Sequence, residues 1–221
     1  MLPNFFIKLF IFHLLFIFGL INIFPQQSKL SANVNHISNY IASQKFVDLK
    51  SEIGDLHSID SIFNEAVRKT NSDYSETFLA LTFATVPYKE VPIQMPLIKT
   101  LLHYPLISAA DSIFILKNKN LPRYIFFDSS NDGYGDKDKL AHFFGSAYLS
   151  HASNIFDLGN LIGYFVEVFE ESFKVQSTVD DRDLMTNNLG NTFGTLLKSN
   201  KNIMPSQVLI LRTLTNFNFN L

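Results

Sequence analysis

The residues best suited to chemistry lie in three segments of the second half of the chain, each with helical spacing. In DKLAHFFGSAYLS, Asp138, His142 and Ser146 recur every four residues, so a helix places them on one face. Lys139 stands one turn before His142. The remaining positions of this segment are strongly apolar. A polar stripe on such a helix is expected to face a cavity or a polar network.

Two further segments carry polar groups in the same way. GYFVEVFEES places Glu167 inside an apolar helix, where an unpaired carboxylate is costly to bury. RDLMTNNLGNTFG places Asp183 and Asn187 one turn apart, and Gly190 and Gly194 follow at the same spacing. Glycines so spaced allow a second helix to approach closely.

Together, the three predicted helices would gather a lysine, a histidine, carboxylates and an amide. The candidate catalytic residues are Asp138, Lys139, His142, Glu167, Asp183 and Asn187. These types suit metal ligation, or acid/base chemistry with Lys139 as the electrophile. They also suit a buried ion-pair network that fixes the register of the helices. Spacing alone leaves both interpretations open, so whether the protein is an enzyme stays uncertain.

The three motifs in this order resemble the YfiM-like family of predicted periplasmic proteins and, more distantly, the VanZ-like family. The shared pattern is Asp-Lys-x-x-His, a helical Glu, then Asp-x-x-x-Asn-x-x-Gly, over roughly residues 136–197. The resemblance implies a small helical, membrane-associated unit at the cell envelope and no particular reaction. This chain lacks the lipid-attachment cysteine of a lipoprotein and the long internal apolar spans of the membrane VanZ-like proteins.

The loop before the first motif, DSSNDGYGDKDK, invites comparison with a calcium-binding loop. The candidate oxygen donors are Asp128, Ser130, Asp132 and Asp136. Gly133 stands at the position of the sharp turn. Lys139, however, occupies the position where a bidentate glutamate is needed. The alternative is a glycine-rich turn whose acids, Asp136 or Asp138, cap the following helix. The calcium prediction is therefore weak.

Composition excludes several classes of function. The chain has no cysteine, so it has no disulfide, no thiolate nucleophile and no zinc–cysteine site. Its net charge is −2, without the basic footprint of a nucleic-acid-binding protein. The expected partners are a membrane surface, envelope proteins or an unknown small-molecule ligand. The expected cofactor is a divalent metal or calcium.

The N-terminus predicts export. Residues 9–24 form a 16-residue apolar run between MLPNFFIK and the polar PQQSKLS. This is the layout of a secretory signal peptide, and the run is shorter than the ~20 residues that a spanning helix needs. We predict a signal peptide over residues 1–25 and a location in the periplasm or cell envelope. An uncleaved run would instead anchor the protein in the membrane.

The predicted fold class is mainly α. Residues 136–221 are expected to form a helical domain, a bundle of at least three helices at about 137–152, 158–174 and 182–199. Residues 26–135 are expected to be irregular and partly helical. The stretch 26–60 is rich in Gln, Ser and Asn and is expected to be a loosely ordered segment before the folded part of the chain. A short helix is expected near 58–70, capped by Asp60 or Ser61.

Five prolines between Pro87 and Pro122 favour an extended segment lying over the core.

The leading functional hypothesis is a noncatalytic envelope protein of the YfiM-like type, whose polar cluster is structural or binds a small ligand. One alternative is a metal-assisted or acid/base enzyme acting on an envelope or lipid substrate. The other is a calcium-stabilised envelope module.

Overall fold

The computed structural model describes residues 28–94, 101–152 and 181–216. This part of the chain is mainly α-helical, as the sequence predicts. Its elements are α1 (Lys29–Ala42), α2 (Gln44–Lys69), α3 (Tyr74–Thr85), β1 (Glu90–Gln94), β2 (Leu101–Pro105), α4 (Asp111–Asn120), α5 (Lys139–His151), α6 (Asp181–Ser199), α7 (Pro205–Leu209) and α8 (Leu211–Asn216). The N-terminal run and the signal peptide predicted from it lie outside the described residues.

The first helices show that the prediction of a loose lead-in over residues 26–60 was wrong. α1 begins where the Ser28 hydroxyl accepts the backbone N–H of Ser31 at 3.1 Å. Val34, Ile37 and Ile41 recur at helical spacing and are fully buried. Burying this apolar stripe stabilises the helix, whatever the polarity of its other faces.

Helix α2 includes the short helix predicted near residues 58–70 but starts earlier in the chain. Gly54 has a φ of 79° and kinks the helix. Neither Asp60 nor Ser61 serves as the predicted cap. The Asp60 carboxylate instead accepts hydrogen bonds from the backbone N–H and the hydroxyl of Ser206, at 2.8 and 2.6 Å. These bonds tie α2 to the start of α7.

Part of the proline-rich segment is extended. β1 and β2 pair antiparallel, with Glu90 opposite Pro105 and Gln94 opposite Leu101. Residues 95–100, between the strands, lie outside the described residues. The segment then forms helix α4, which packs against α1.

A single hydrophobic core spans both halves of the described chain. Its centre holds rings from four helices: Phe63 of α2, Phe78 of α3, Phe143 of α5 and Phe193 of α6, all buried. Phe193 lies with its ring centroid 5.3 Å from Phe63, 5.7 Å from Phe78 and 5.3 Å from Phe143. Residues on both sides of residue 135 therefore contribute to the same core.

Helices α5 and α6 confirm two of the three C-terminal helices predicted from the sequence. The third, near 158–174, lies outside the described residues. Gly190 and Gly194 of α6 face the backbone of α5, and a Cβ at these positions would overlap the carbonyls of Phe143 and Ala147. The glycines thus allow the close approach predicted for them. This packing sets the distance between the polar residues of the two helices.

Candidate metal-binding site

Lys139 lies between two carboxylates at the point where α5 and α6 begin. Its Nζ is 3.0 Å from Asp138 Oδ2 and 2.5 Å from Asp183 Oδ1. Asp138 occupies the N-cap position of α5, as one of the two predicted alternatives, but its side chain makes no capping hydrogen bond. Burial opposes the charge of Lys139, yet the two carboxylates outweigh it and raise the pKa of this amine. The ammonium ion is therefore permanent at neutral pH.

His142 lies one turn further along α5. Its Nε2 is 3.7 Å from Asp183 Oδ1, and the residue is only 8% exposed. Burial lowers the pKa of His142, and the negative charges of Asp183 and Asp138 only partly offset that effect. The imidazole is consequently neutral near pH 7. A neutral imidazole has a lone pair to offer to a metal ion or a proton.

Asp138, His142 and Asp183 form a group that could hold a metal ion. One ligand atom from each lies within 4.8 Å of the others. Two carboxylate oxygens and an imidazole nitrogen are donors used by zinc, manganese and iron sites. The Oδ1 atom of Asp138 is buried and has no hydrogen-bond partner. Together with Lys139, these residues make a group of four described side chains that carry two negative charges and one positive charge. The net negative charge favours the binding of a cation.

The amide of Asn187 extends the group along α6. The Ser146 hydroxyl donates to Asn187 Oδ1 at 3.1 Å. The Asn187 side chain also favours the charged form of His142 and so partly opposes the lowering of the His142 pKa. Asn187 therefore lies in the same cluster as the ion pairs, where the sequence places it. Glu167, the remaining candidate, lies outside the described residues.

The acidic loop uses its carboxylates differently from a calcium loop. Asp136 is fully buried and accepts the backbone N–H groups of Ile125 and Phe126, each at 3.2 Å. Its other oxygen pairs with Arg182. Asp128 pairs with Arg182 and Arg212. Guanidinium groups thus neutralise two of the predicted calcium ligands.

The other two predicted ligands form a local turn. Asp132 Oδ1 accepts the Ser130 hydroxyl at 2.9 Å and the backbone N–H groups of Tyr134 and Gly135 at 2.9 and 3.0 Å. Among the described residues, the carboxylates of this loop are not gathered at metal-binding distance. The geometry favours the glycine-rich turn over the calcium site.

Sequence reasoning missed the tyrosines around the cluster. Tyr88 follows α3 and is largely buried, and its charged neighbours include Asp138 and Asp183. Burial, reinforced by these carboxylates, raises the pKa of Tyr88. Tyr134 of the acidic loop is 45% exposed, and partial burial followed by the charge of Asp138 raises its pKa to about 12. Both phenols keep their protons. No sequence signal locates Tyr88 here, because its position depends on how α3 packs against α5.

Comparisons with protein-family models, curated proteins and solved structures gave no significant match. The site is therefore interpreted from its own geometry. Within the described residues, no helix combines the length and the apolar character needed to cross a bilayer.

Proposed function

We propose that this is an exported cell-envelope protein whose Asp138, His142 and Asp183 side chains bind one divalent metal ion. The observation that carries the proposal is the convergence of three ligand atoms within 4.8 Å, from two helices held together by close packing. Zinc, manganese and iron match this donor set better than calcium, which prefers oxygen ligands alone.

In the metal-free protein, Lys139 acts as the internal counterion. Its ammonium contacts both carboxylates, so an arriving metal ion competes with it for the same oxygens. The long flexible stem of lysine allows the ammonium to leave one carboxylate while it stays near the other. Metal binding therefore changes the net charge of the cluster, and each carboxylate keeps either the ammonium or the metal ion as its partner.

Three protein ligands leave further coordination positions for water or for a ligand. Open positions distinguish catalytic zinc sites from closed structural ones. The site thus suits a protein that binds a small ligand through its metal. A metal-assisted or acid/base enzyme acting on an envelope or lipid substrate is the second candidate. The neutral His142 ring beside Asp183 supports it, because this pair could accept a proton from a bound substrate.

The envelope location rests on sequence features. The apolar run at residues 9–24 and the resemblance to the YfiM-like family support it. Cell fractionation of the full chain, beside a variant with two arginines inserted into this run, tests it. We expect the wild type with the envelope or periplasm and the variant in the cytosol. Wild-type protein found in the cytosol would count against export.

The metal site is tested by elemental analysis and by titration of the purified full-length protein with Zn²⁺ and Mn²⁺. We expect one ion per chain in the wild type and none in His142→Ala, with circular dichroism unchanged. His57→Ala is the matched control, because His57 is exposed on α2 and belongs to no candidate metal group among the described residues. A wild type that binds neither ion would overturn the proposal.

The competing interpretation is a network that only fixes helix register. The bridging position of Lys139 favours it, since one ammonium joins two elements far apart in the sequence. In that case the wild type binds no metal, and the loss of any one partner lowers the melting temperature strongly. Metal titration and thermal unfolding of the wild type and His142→Ala therefore separate the two functions.

A further inference from the structure

The second half of helix α4 carries exposed apolar side chains next to a basic one. Ile115 is 66% exposed and Leu116 is 45% exposed. Lys119, which is also exposed, follows them by four and three residues, so the three side chains lie on one side of the helix. Large apolar groups left exposed beside charged ones often mark a surface that binds a partner or a membrane.

Arg123 joins this end of α4 to the acidic loop. Its guanidinium donates to the Lys119 carbonyl at 2.9 Å and to the Gly133 carbonyl at 3.2 Å. Tyr134 follows Gly133 in the chain and is exposed, and the Lys137 ammonium lies 5.9 Å from the centre of its ring. The loop therefore brings a second exposed apolar group and a third cation to the same part of the surface.

A fourth cation, Lys50 of α2, lies behind the other three. Its ammonium donates to the Asn120 carbonyl at 2.8 Å, and this carbonyl is next in the chain to the one that Arg123 contacts. Asp55 faces Lys50 at 3.7 Å. The other oxygen of Asp55 accepts the backbone N–H groups of Arg123 and Tyr124, at 2.7 and 2.8 Å. One carboxylate thus serves two basic residues only in part.

The positive charge of this region is not balanced by the carboxylates near it. Asp132 is an exposed carboxylate of the adjoining loop, and it accepts three hydrogen bonds within its own turn. The remaining carboxylates of the loop pair with other cations. The four cations named above, taken with Asp55 and Asp132, give a net charge of +2. Burial, followed by the charges of Arg123 and Lys50, lowers the pKa of Lys137, as expected when like charges are close.

We propose that this part of the molecule docks on a bilayer that contains anionic lipid. The basic–apolar surface, as we call it, consists of Ile115, Leu116, Lys119, Arg123, Tyr134 and Lys137, with Lys50 behind them. Its cations would face the lipid phosphates, and its apolar side chains would enter the boundary between headgroups and acyl chains. A free phosphate ion would satisfy the cations but would leave the apolar side chains in water, so the bilayer fits the surface better. Docking requires no metal at Asp138, His142 and Asp183, so either proposal can fail alone.

A tryptophan placed on the surface tests the docking locally, because the chain has no tryptophan of its own. Full-length Ile115→Trp is mixed with vesicles of phosphatidylcholine, and separately with vesicles of phosphatidylcholine and phosphatidylglycerol in equal parts. Leu196→Trp is the matched control, since Leu196 is an exposed leucine of α6 outside the surface. The emission wavelength reports whether the tryptophan itself leaves water. Binding through the apolar run at residues 9–24 would not require the lipid to be anionic.

We expect the emission of Ile115→Trp to move to shorter wavelength with the anionic vesicles and to stay unchanged with the neutral ones. Salt at about 1 M should remove the shift, because it screens charges separated by more than about 3 Å. Leu196→Trp should show no shift with either vesicle. Adding Lys137→Gln to Ile115→Trp should weaken the affinity for anionic vesicles about fivefold, the usual effect of one lysine near an anionic membrane. Adding Lys198→Gln, which removes an exposed lysine of α6, should leave the affinity unchanged.

Four results would count against the proposal. No shift of Ile115→Trp with anionic vesicles would overturn the docking itself. An equal shift with neutral vesicles would overturn the role of the cations. An equal shift in Leu196→Trp would overturn the assignment to this surface. A shift that appeared without lipid as the protein concentration rose would replace the bilayer by a second copy of the chain.

Discussion

The Lys139 ammonium and the Asp183 carboxylate join two helices whose contacting residues are 44 positions apart in the sequence, at a distance of 2.5 Å. Asp138 contacts the same ammonium from the other side at 3.0 Å. One lysine therefore compensates charge on both helices, and it stands where a divalent ion would also be most strongly attracted. This relationship makes Lys139 the most informative residue to change.

Replacing Lys139 by Met should destabilise the metal-free protein by roughly 3 kcal/mol, because the buried Asp183 and the half-buried Asp138 lose their shared cation. A divalent ion should restore most of that loss and bind more tightly than in the wild type, since its competitor is gone. Urea unfolding with and without Zn²⁺ measures both effects. Lys198→Met, on the exposed surface of α6, is the control. If Zn²⁺ did not restore the lost stability, the result would favour the interpretation of the cluster as a network that only fixes helix register.

Changing Gly190 to Ala should lower the free energy of unfolding by about 1–3 kcal/mol, the usual cost of overpacking. The new Cβ would overlap the Phe143 carbonyl, so α5 and α6 must move apart. Metal affinity should fall in the same variant, because Asp183 moves away from His142. Asn191→Ala, exposed on the same helix, should change neither quantity. Thermal unfolding and metal titration give the two readings, and an unchanged melting temperature would contradict the packing argument.

Replacing Lys117 by Met should stabilise the protein at neutral pH. Burial lowers the pKa of Lys117 from its usual 10.5 to about 7. The unfolded chain therefore holds this proton between about pH 7 and 10.5 while the folded chain has lost it, and the stability of the wild type rises with pH across that interval. The substitution should gain roughly 2 kcal/mol or more near pH 7, after the lost bond to Val86 is counted.

That gain should shrink as the pH approaches 10.5, because the amine is then neutral in both states. Urea unfolding at several pH values between 6 and 10.5 measures the trend. Lys119→Met, at an exposed position of the same helix, is the control. A gain that stayed constant over this range would mean that the buried amine does not titrate as described.

Asp136→Ala should destabilise the protein by about 3 kcal/mol, because it removes one carboxylate partner of Arg182 and leaves the backbone N–H of Ile125 without its carboxylate acceptor. Asp132→Ala removes only hydrogen bonds within an exposed turn and should cost about 1 kcal/mol or less. Addition of a calcium chelator should leave the melting temperature of the wild type unchanged. If the chelator lowered the melting temperature, the result would support the prediction that the acidic loop binds calcium.

Periodicity was enough to predict the helices that carry Asp138, His142 and Asp183, because an apolar stripe interrupted by polar residues is a local signal. The glycine pair of α6 also predicted a close helix partner. Both features depend on spacing within one element. The sequence thus contained most of the ligand set of the candidate metal site.

Helix α1 and the partners of the acidic loop were not predicted from spacing within one element. The polar composition of residues 26–60 hid the stripe of Val34, Ile37 and Ile41, although that stripe and the Ser28 cap were visible signals of a helix. The carboxylates of the acidic loop resembled calcium ligands because Arg182 and Arg212, their actual partners, lie far along the chain. Such pairings are decided by tertiary packing.

The cluster of four phenylalanine rings has a consequence for the order in which the protein folds. Phe63 and Phe78 are synthesised well before Phe193, whose ring packs against both. The core around α2 and α3 therefore stays incomplete until Phe193 has been made, and contacts between such distant residues form slowly because a long loop must close first. The ring cluster is therefore completed only late in synthesis, which suits the export that we propose.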